Sequence, residues 1–434
     1  MKKAAFHTLG CKVNTYETEV MKSQLKEHGY EIVPFSDTAD VYIINTCTVT
    51  NIADQKSRQM LHKARKKNPQ AVIAAVGCYA QTFKEELIRD HTADLIIGNN
   101  QKNRLYELLE EYDASHTLQE AVCDVRQEKD YEPMFLTSTE DRTRAFLKIQ
   151  DGCNQFCSYC LIPYARGRAR SRAVDDVIAE IRTLAEKGFQ EVVLTGIHLS
   201  SYGMDLNEEK KPLLKEVILA AAEIEGIRRI RLGSLEPNVI TEDFIRPLSQ
   251  CDKFCPHFHL SLQSGSDATL KRMNRHYTAG EYYSKCELIR RYFEHPAITT
   301  DVIAGFPGET EEEFEETCAF VEKAGFAEMH VFKYSRRKGT RADAMDGQIP
   351  DQVKTQRSHR LLEIASRMQQ DYLSWYPGRQ VEILTEDEIL YQGETWRCGH
   401  TKEYVKCIVK GCESNRIITG EACKVTENHM LIVH

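Results

Sequence analysis

The chain has 434 residues, room for two to three domains at roughly 100–200 residues each. Its 41% hydrophobic and 28% charged residues describe a globular protein and exclude a disordered one. The net charge of −8 excludes a uniformly basic nucleic-acid coat but leaves room for a local basic groove.

Residues 1–112 alternate strand and helix. Strands are expected at Ala4–Leu9, Val41–Asn45, Ala71–Val76 and Leu95–Ile97, with helices at Asn14–His28, Ala53–Lys66, Gln81–Arg89 and Asn103–Leu109. Short buried strands in β-α-β-α order predict an α/β unit built on a doubly wound parallel sheet. Residues 113–143 lack periodicity, are rich in charge and contain Pro133, and are expected to be a linker.

A second alternation fills residues 144–350. Its strands are expected at Ala145–Ile149, Glu191–Thr195, Arg229–Gly233, Phe258–Leu262, Thr299–Ala304 and Met329–Tyr334, with helices between them. Six such units predict a partial (β/α)6 barrel, with its chemistry at the carboxyl ends of the strands. Residues 351–371 read as a helical connector. Residues 372–434 read as a small all-β barrel with short strands at Gln380–Thr385, Tyr404–Lys410, Arg416–Thr419, Ala422–Thr426 and Met430–Val433.

No apolar run approaches the ~20 residues needed to span a bilayer. The apolar stretch after Lys2 and Lys3 ends too soon for a signal peptide. A cytoplasmic protein with no membrane segment is therefore expected. Fifteen cysteines is an odd and high number for such a chain. A reducing compartment argues against a disulfide framework and leaves thiolates free as soft metal ligands.

Three cysteines share one topological position. Cys11, Cys47 and Cys78 each follow a predicted strand of the first sheet and precede a helix. Neighbouring strands lie about 4.8 Å apart, so adjacency would bring three thiols to one sheet edge, beside helix N-termini that favour thiolate. Three buried free cysteines is the other reading. A second set is local: Cys153, Cys157 and Cys160 follow the first strand of the second unit with Cys-x₃-Cys-x₂-Cys spacing. Structural zinc is normally closed by four ligands. Three cysteines on an iron–sulfur cubane leave one iron open. Cys398, Cys407, Cys412 and Cys423 match no close-paired zinc spacing and are taken as core or surface thiols.

The three-cysteine motif after the first strand of a six-unit β/α domain is similar to radical S-adenosylmethionine (SAM) enzymes. With the upstream trio and the terminal β-barrel, the whole chain resembles the methylthiotransferases, which combine an N-terminal methylthiotransferase domain, a radical SAM core and an OB-like TRAM barrel. The resemblance is carried by Asn45-Thr46-Cys47-Thr48-Val49-Thr50, Gly77-Cys78-Tyr79-Ala80-Gln81, Ile162-Pro163-Tyr164-Ala165-Arg166-Gly167 and Leu260-Ser261-Leu262-Gln263-Ser264-Gly265-Ser266. Leu194-Thr195-Gly196-Ile197-His198-Leu199-Ser200-Ser201-Tyr202-Gly203 resembles the branch that modifies threonylcarbamoyladenosine beside the tRNA anticodon. Other branches act on isopentenyladenosine or on a ribosomal-protein aspartate. A non-catalytic iron–sulfur RNA-binding protein is the more distant alternative.

The resemblance implies two [4Fe–4S] clusters. Cys153, Cys157 and Cys160 would hold the one that binds and cleaves SAM, and Cys11, Cys47 and Cys78 the auxiliary one that handles sulfur. The adenine C2 hydrogen is not acidic, so no side-chain base could remove it, and cofactor chemistry is required. A low-potential electron donor of flavodoxin or ferredoxin type is implied, because clusters near about −400 mV suit such a step. The sulfur donor is not indicated. Tyr159, Gly196, Ser234, Glu236, Gln263, Ser264 and Asp301, near the strand ends, are expected to cradle SAM. Lys56–Lys67, Val331–Arg341 and the alternating Arg166, Arg168, Arg170 and Arg172 are basic runs expected to meet tRNA phosphates. The terminal barrel has more acidic than basic residues, so an RNA role for it comes from the resemblance alone.

Overall fold

The computed structural model describes residues 1–136 and 143–434. The first unit is a parallel sheet in the order β2-β1-β3-β4-β5-β6, made of β1 (Lys3–Thr8), β2 (Glu31–Val33), β3 (Val41–Thr46), β4 (Val72–Gly77), β5 (Leu95–Ile97) and β6 (Gln119–Ala121). Its helices are α1 (Lys12–Glu27), α2 (Asn51–Lys67), α3 (Cys78–Thr82), α4 (Lys84–Asp90) and α5 (Leu105–Ser115). One apolar core joins Met21, Leu25, Leu105 and Leu109 to one sheet face, and a second joins Leu61, Ala64, Tyr79 and Leu87 to the other. The sheet is therefore doubly wound, as its buried strands predict.

The expected linker is partly structured. α5 continues to Ser115, β6 adds an edge strand, and Met134 and Leu136 are buried in the core of the next unit. β6 reads Gln-Glu-Ala, with no apolar alternation to announce it. The expected segment also includes residues 137–142, which lie outside the described residues.

The second unit has β7 (Arg144–Asp151), β8 (Arg170–Ser171), β9 (Glu191–Gly196), β10 (Arg229–Leu232), β11 (His257–His259), β12 (Ala297–Ala304) and β13 (Glu328–Lys333). β10-β9-β7 run parallel, with β8 antiparallel at the edge, and β11-β12-β13 form a second parallel group. Parallel bridges Ile230–Phe254 and Leu235–Leu260 join the groups into an open barrel of six parallel strands. The helices of this unit are α6 (Ile162–Arg166), α7 (Val174–Glu186), α8 (Leu214–Ala222), α9 (Glu242–Ser249), α10 (Asp267–Arg272), α11 (Ala279–Tyr292) and α12 (Glu311–Ala324). Capping boxes Thr278/Glu281 and Thr310/Glu313 start α11 and α12.

Alternation along these strands sorts the two faces. Leu147, Leu194, Leu232, Phe258 and Val302 pack into the helix-side core. The other face carries the register row Arg144–Glu191–Arg229 and the pairs Thr299–Glu328 and Asp301–His330. The barrel interior is thus lined with charge.

After α13 (Asp351–Leu373), a closed barrel is built from β14 (Arg379–Tyr391), β15 (Glu394–His400), β16 (Lys406–Val409), β17 (Ile417–Val425) and β18 (Leu431–Val433). The sequence reading misses β15 and divides β17 at Gly420. That glycine is not a turn: a Cβ there would stand 2.6 Å from the His434 carbonyl oxygen, so it serves a close strand approach. This barrel caps the amino ends of the central strands. Arg229 donates to the His400 carbonyl at 2.8 Å, and Arg231 to those of Lys402 and Thr401 at 2.7 and 3.2 Å. Among the described residues, no helix is long and apolar enough to cross a membrane.

Candidate functional site

β1, β3 and β4 are adjacent, with Thr8 beside Asn45 and Asn45 beside Val76. Cys11, Cys47 and Cys78 therefore emerge from one sheet edge. Gly10, at φ +101°, brings the Cys11 loop so close that a Cβ on it would stand 3.0 Å from the Cys47 sulfur. Burial, reinforced by Cys78, pushes the Cys47 thiol up to about 12. A metal would have to displace that proton.

Cys153, Cys157 and Cys160 occupy the loop after β7. Gly152 makes the turn at φ +71°, where a Cβ would overlap the Arg168 carbonyl oxygen at 1.9 Å. Backbone N–H groups of Gln155 and Ile162 donate to the sulfurs of Cys153 and Cys160, both at 3.4 Å. Arg275 Nη1 donates to Cys157 Sγ at 3.3 Å. Burial pushes Cys153 and Cys160 up to about 12.

A tetrahedral zinc with Zn–S bonds of about 2.3 Å would hold its sulfurs about 3.8 Å apart. Neither cysteine triplet is drawn together that tightly. Among the described residues, the one group of three potential ligands lying within 4.8 Å of one another is His259, Asp301 and His330. Neither triplet is therefore closed on a single zinc ion, and the N–H donors suit anionic sulfur ligands.

The two sulfur sets share a wall. Arg166, at the end of α6, is fully buried. Its Nε donates to Cys78 Sγ at 3.3 Å, its Nη1 to Glu17 at 2.9 Å and Asp151 at 3.1 Å, and its Nη2 to Asn14 at 2.7 Å. Lys148 meets Glu17 and Asp151, both at 3.0 Å, and Lys102 also binds Glu17. Three cations thus gather around Glu17 and Asp151, with Glu132 a third buried carboxylate beside Lys148 and Lys102, and the Arg166 end of this node abuts Cys78. Asn99 completes the link, donating to Cys78 Sγ at 3.5 Å and to the Ala165 carbonyl at 2.8 Å.

This overturns most of the expected arginine contact with RNA. Besides Arg166, Arg170 is buried and donates to the Arg166 carbonyl, and Arg172 is buried against Glu180. Only Arg168 of the four is exposed, over the Phe156 ring at 4.8 Å. The segment folds back on β7 as the short edge strand β8, a path that turns Arg166, Arg170 and Arg172 inward to partners there and leaves Arg168 outside.

The expected SAM cradle is dispersed along the mouth. Tyr159 packs on Phe306 at 6.3 Å beside Met273 and Tyr334. Gly196 closes against Gln150, whose Cβ would lie 2.9 Å from an added Cβ. Ser234 is exposed, and Glu236 is paired with Arg275 at 2.6 Å. Gln263 sits at φ +70° and ties β11 to β12 through the Asp301 carbonyl and the Ile303 N–H. Ser264 is buried against Thr317 at 3.1 Å, so it belongs to the wall. Asp301 points into the barrel between His259 at 3.2 Å and His330 at 3.3 Å. Sequence reasoning missed Arg275, Gln150, Asn99 and Glu17. No local spacing marks them, because each acts across more than twenty residues or through a neighbouring strand.

Deeper in the barrel, three cations gather around the Tyr404 ring from the terminal unit. Arg231 lies 4.7 Å, Arg144 4.8 Å and Lys12 5.9 Å from its centroid. Arg231 is paired with Glu191 and Arg144 with Glu386. Burial, with Arg231 and Arg144 close by, draws the Lys12 ammonium down to about 8.

The uncharacterized protein family UPF0004 matches residues 3–98, and the radical SAM superfamily matches residues 147–321. The threonylcarbamoyladenosine tRNA methylthiotransferase MtaB of Bacillus subtilis (strain 168) is 42% identical, covering 98% of this chain and 93% of that protein. MtaB of Aquifex aeolicus (strain VF5) is 40% identical over 89% of this chain and 93% of its own length. The tRNA-2-methylthio-N(6)-dimethylallyladenosine synthase of Clostridium tetani is 37% identical over 88% and 84%. Among solved structures, the radical SAM methyltransferase TsrM from Kitasatospora setae, with tryptophan and a SAM analogue bound, aligns with TM-score 0.56 at 14% identity. The alignment covers 76% of this chain and 73% of TsrM, and it speaks for the fold alone. Sequence kinship over nearly the whole length, with both cysteine triplets at one mouth, makes this chain a member of the radical SAM methylthiotransferases, of the MtaB-like kind.

Proposed function

We propose that this enzyme inserts a methylthio group at C2 of N6-threonylcarbamoyladenosine next to the anticodon of tRNA. The observation that carries the reading is the bond from Arg166 to Cys78, which fastens the SAM-motif loop to the N-terminal sulfur trio above a charged barrel. SAM and two [4Fe–4S] clusters are the cofactors of this chemistry. When bound, they supply reductive cleavage of SAM and attack on an unactivated C–H bond. Cys153, Cys157 and Cys160 would hold one cluster, and Cys11, Cys47 and Cys78 the other.

The chain's own groups do the rest. Arg275 and the loop N–H groups steady the sulfurs of the SAM-binding set. Glu236 holds Arg275, with Tyr277 donating to the Ser261 carbonyl at 2.6 Å beneath it. Tyr159, Gly196, Ser234, Gln263 and Asp301 line the path between mouth and chamber, where SAM and the base would lie. For tRNA, α2 exposes Lys56, Lys63, Lys66 and Lys67, and the segment after β13 exposes Arg336, Lys338 and Arg341. Asn51 joins these surfaces through Ser335 and the Arg336 carbonyl, forming one basic flank beside Cys47. A low-potential flavodoxin- or ferredoxin-type donor would deliver the electrons, in the compartment where tRNA is matured.

The test is nucleoside mass spectrometry on anticodon stem-loops incubated anaerobically with reconstituted enzyme, SAM, sulfide and reductant. Methylthio-threonylcarbamoyladenosine is the expected product. A methylthio product from dimethylallyladenosine RNA alone would overturn the reading.

A further inference from the structure

Among the described residues, the cations of the barrel interior are held by acids in ion pairs, with Lys12 as the exception. Among the described residues, Arg229, Arg231 and Arg144 are paired with Glu382, Glu191 and Glu386, and His259 and His330 with Asp301. Lys12 makes no ion pair of its own: its ammonium lies 5.9 Å from the Tyr404 ring, which it shares with Arg231 and Arg144, and Glu191 attracts it only from beyond hydrogen-bond reach. Its ammonium is partly buried, so water screens it less than at the surface. Like charges on the same platform raise the cost of leaving it without an anion.

Its place in the chain gives the site a meaning. Lys12 directly follows Cys11 and opens α1. Its backbone stands at the sulfur edge while its side chain reaches into the barrel beside Tyr404. A base whose C2 lies between the sulfur triplets would send its N6 substituent toward that interior. A threonylcarbamoyl substituent carries a carboxylate and a hydroxyl. A dimethylallyl substituent is hydrocarbon, and an unmodified adenine carries neither.

We infer that Lys12 receives the carboxylate of the threonylcarbamoyl group and so selects this substrate over adenosines with an apolar or absent N6 substituent. The inference rests on the threonylcarbamoyladenosine reading and deepens it. Selection works in both directions: the acid gains a charge-assisted hydrogen bond, while an apolar group would leave the ammonium desolvated and unpaired. Tyr404 and the paired arginines are the platform, and Lys12 is the contact.

The test compares two stem-loops, one with the free threonyl carboxylate and one with its neutral methyl ester. Dissociation constants are read by fluorescence anisotropy on the anaerobically reconstituted holoenzyme, and kcat/KM for methylthio product is read beside them. The native enzyme is expected to prefer the acid by about 10- to 100-fold. Lys12→Met should bring that ratio near one, and Lys12→Arg should keep most of it. Both ligands meet the same preparation, so altered folding or cluster content cancels in the ratio. A Lys12→Met enzyme that keeps the native preference, or a native enzyme that acts on the acid without preferring it, overturns the inference. A native enzyme that binds and modifies neither, yet acts on dimethylallyladenosine RNA, overturns the substrate reading and the inference with it.

Discussion

Replacing Arg166 by Met tests whether the buried charge node holds the first two units together. The guanidinium makes hydrogen bonds to Glu17, Asp151, Asn14 and Cys78 with no solvent exposure of its side chain. Removing one partner from such a group leaves carboxylates buried against fewer cations, a loss of about 3–5 kcal/mol. With a guanidinium m-value of about 5 kcal/mol/M, the unfolding midpoint should fall by roughly 0.6–1 M. Far-UV circular dichroism is the readout. The chain's two tryptophans, Trp375 and Trp396, lie after the central unit, so their fluorescence midpoint should move less. The pH dependence follows with a definite sign. Burial opposes ionisation of Glu17, but Arg166, Lys102 and Lys148 outweigh it and hold its carboxyl well below the usual range. Its stabilisation is present above the unfolded value and is lost as pH falls. Removing Arg166 raises the native value and moves acid unfolding to higher pH. The double variant Glu17→Gln/Arg166→Met should lose less than the sum of the single losses. A loss below about 1 kcal/mol for Arg166→Met, or strict additivity in the double variant, would refute the node as described.

Two further outcomes are expected. Cys157→Ala and Cys47→Ala should each lower bound iron from about eight to about four atoms, the first abolishing SAM cleavage and the second sparing it while stopping sulfur insertion. Iron analysis and 5′-deoxyadenosine quantitation separate them, and loss of cleavage in a folded Cys47 variant would contradict the division. His330, hydrogen-bonded to Asp301 and then to Glu328, is raised to about 10. Its stabilising charge is complete below the ordinary value near ~6.5 and fades only as pH passes about 10. Its ring resonances should therefore stay fixed between about pH 6 and 8, and a midpoint near 6.5 by histidine-labelled NMR would refute the pairing.

Much of this molecule was legible in its sequence because the signals were local. Val41–Thr46 is apolar enough to be read as a strand buried on both faces, and Cys47 falls at its end by simple counting. The six central strands also announce themselves by apolar runs. Their inner faces were harder to read: Arg229 and Arg231 alternate with Ile230, a pattern equally suited to a solvated edge, and only barrel closure turns it inward. The arginine run after Cys160 misled for the same reason, since Glu17 and Glu180, which neutralise Arg166 and Arg172, come from other helices. Lys12 stood in view beside Cys11, but its setting depends on Tyr404, from the opposite end of the chain.

The most direct test of the account is iron anomalous diffraction from anaerobic crystals of the reconstituted enzyme with SAM. The account predicts two multi-iron maxima at the barrel mouth, one bonded to Cys153, Cys157 and Cys160 and the other to Cys11, Cys47 and Cys78, with the Arg166 wall between them. A single maximum, or one bonded to other residues such as His259 and His330, would contradict it.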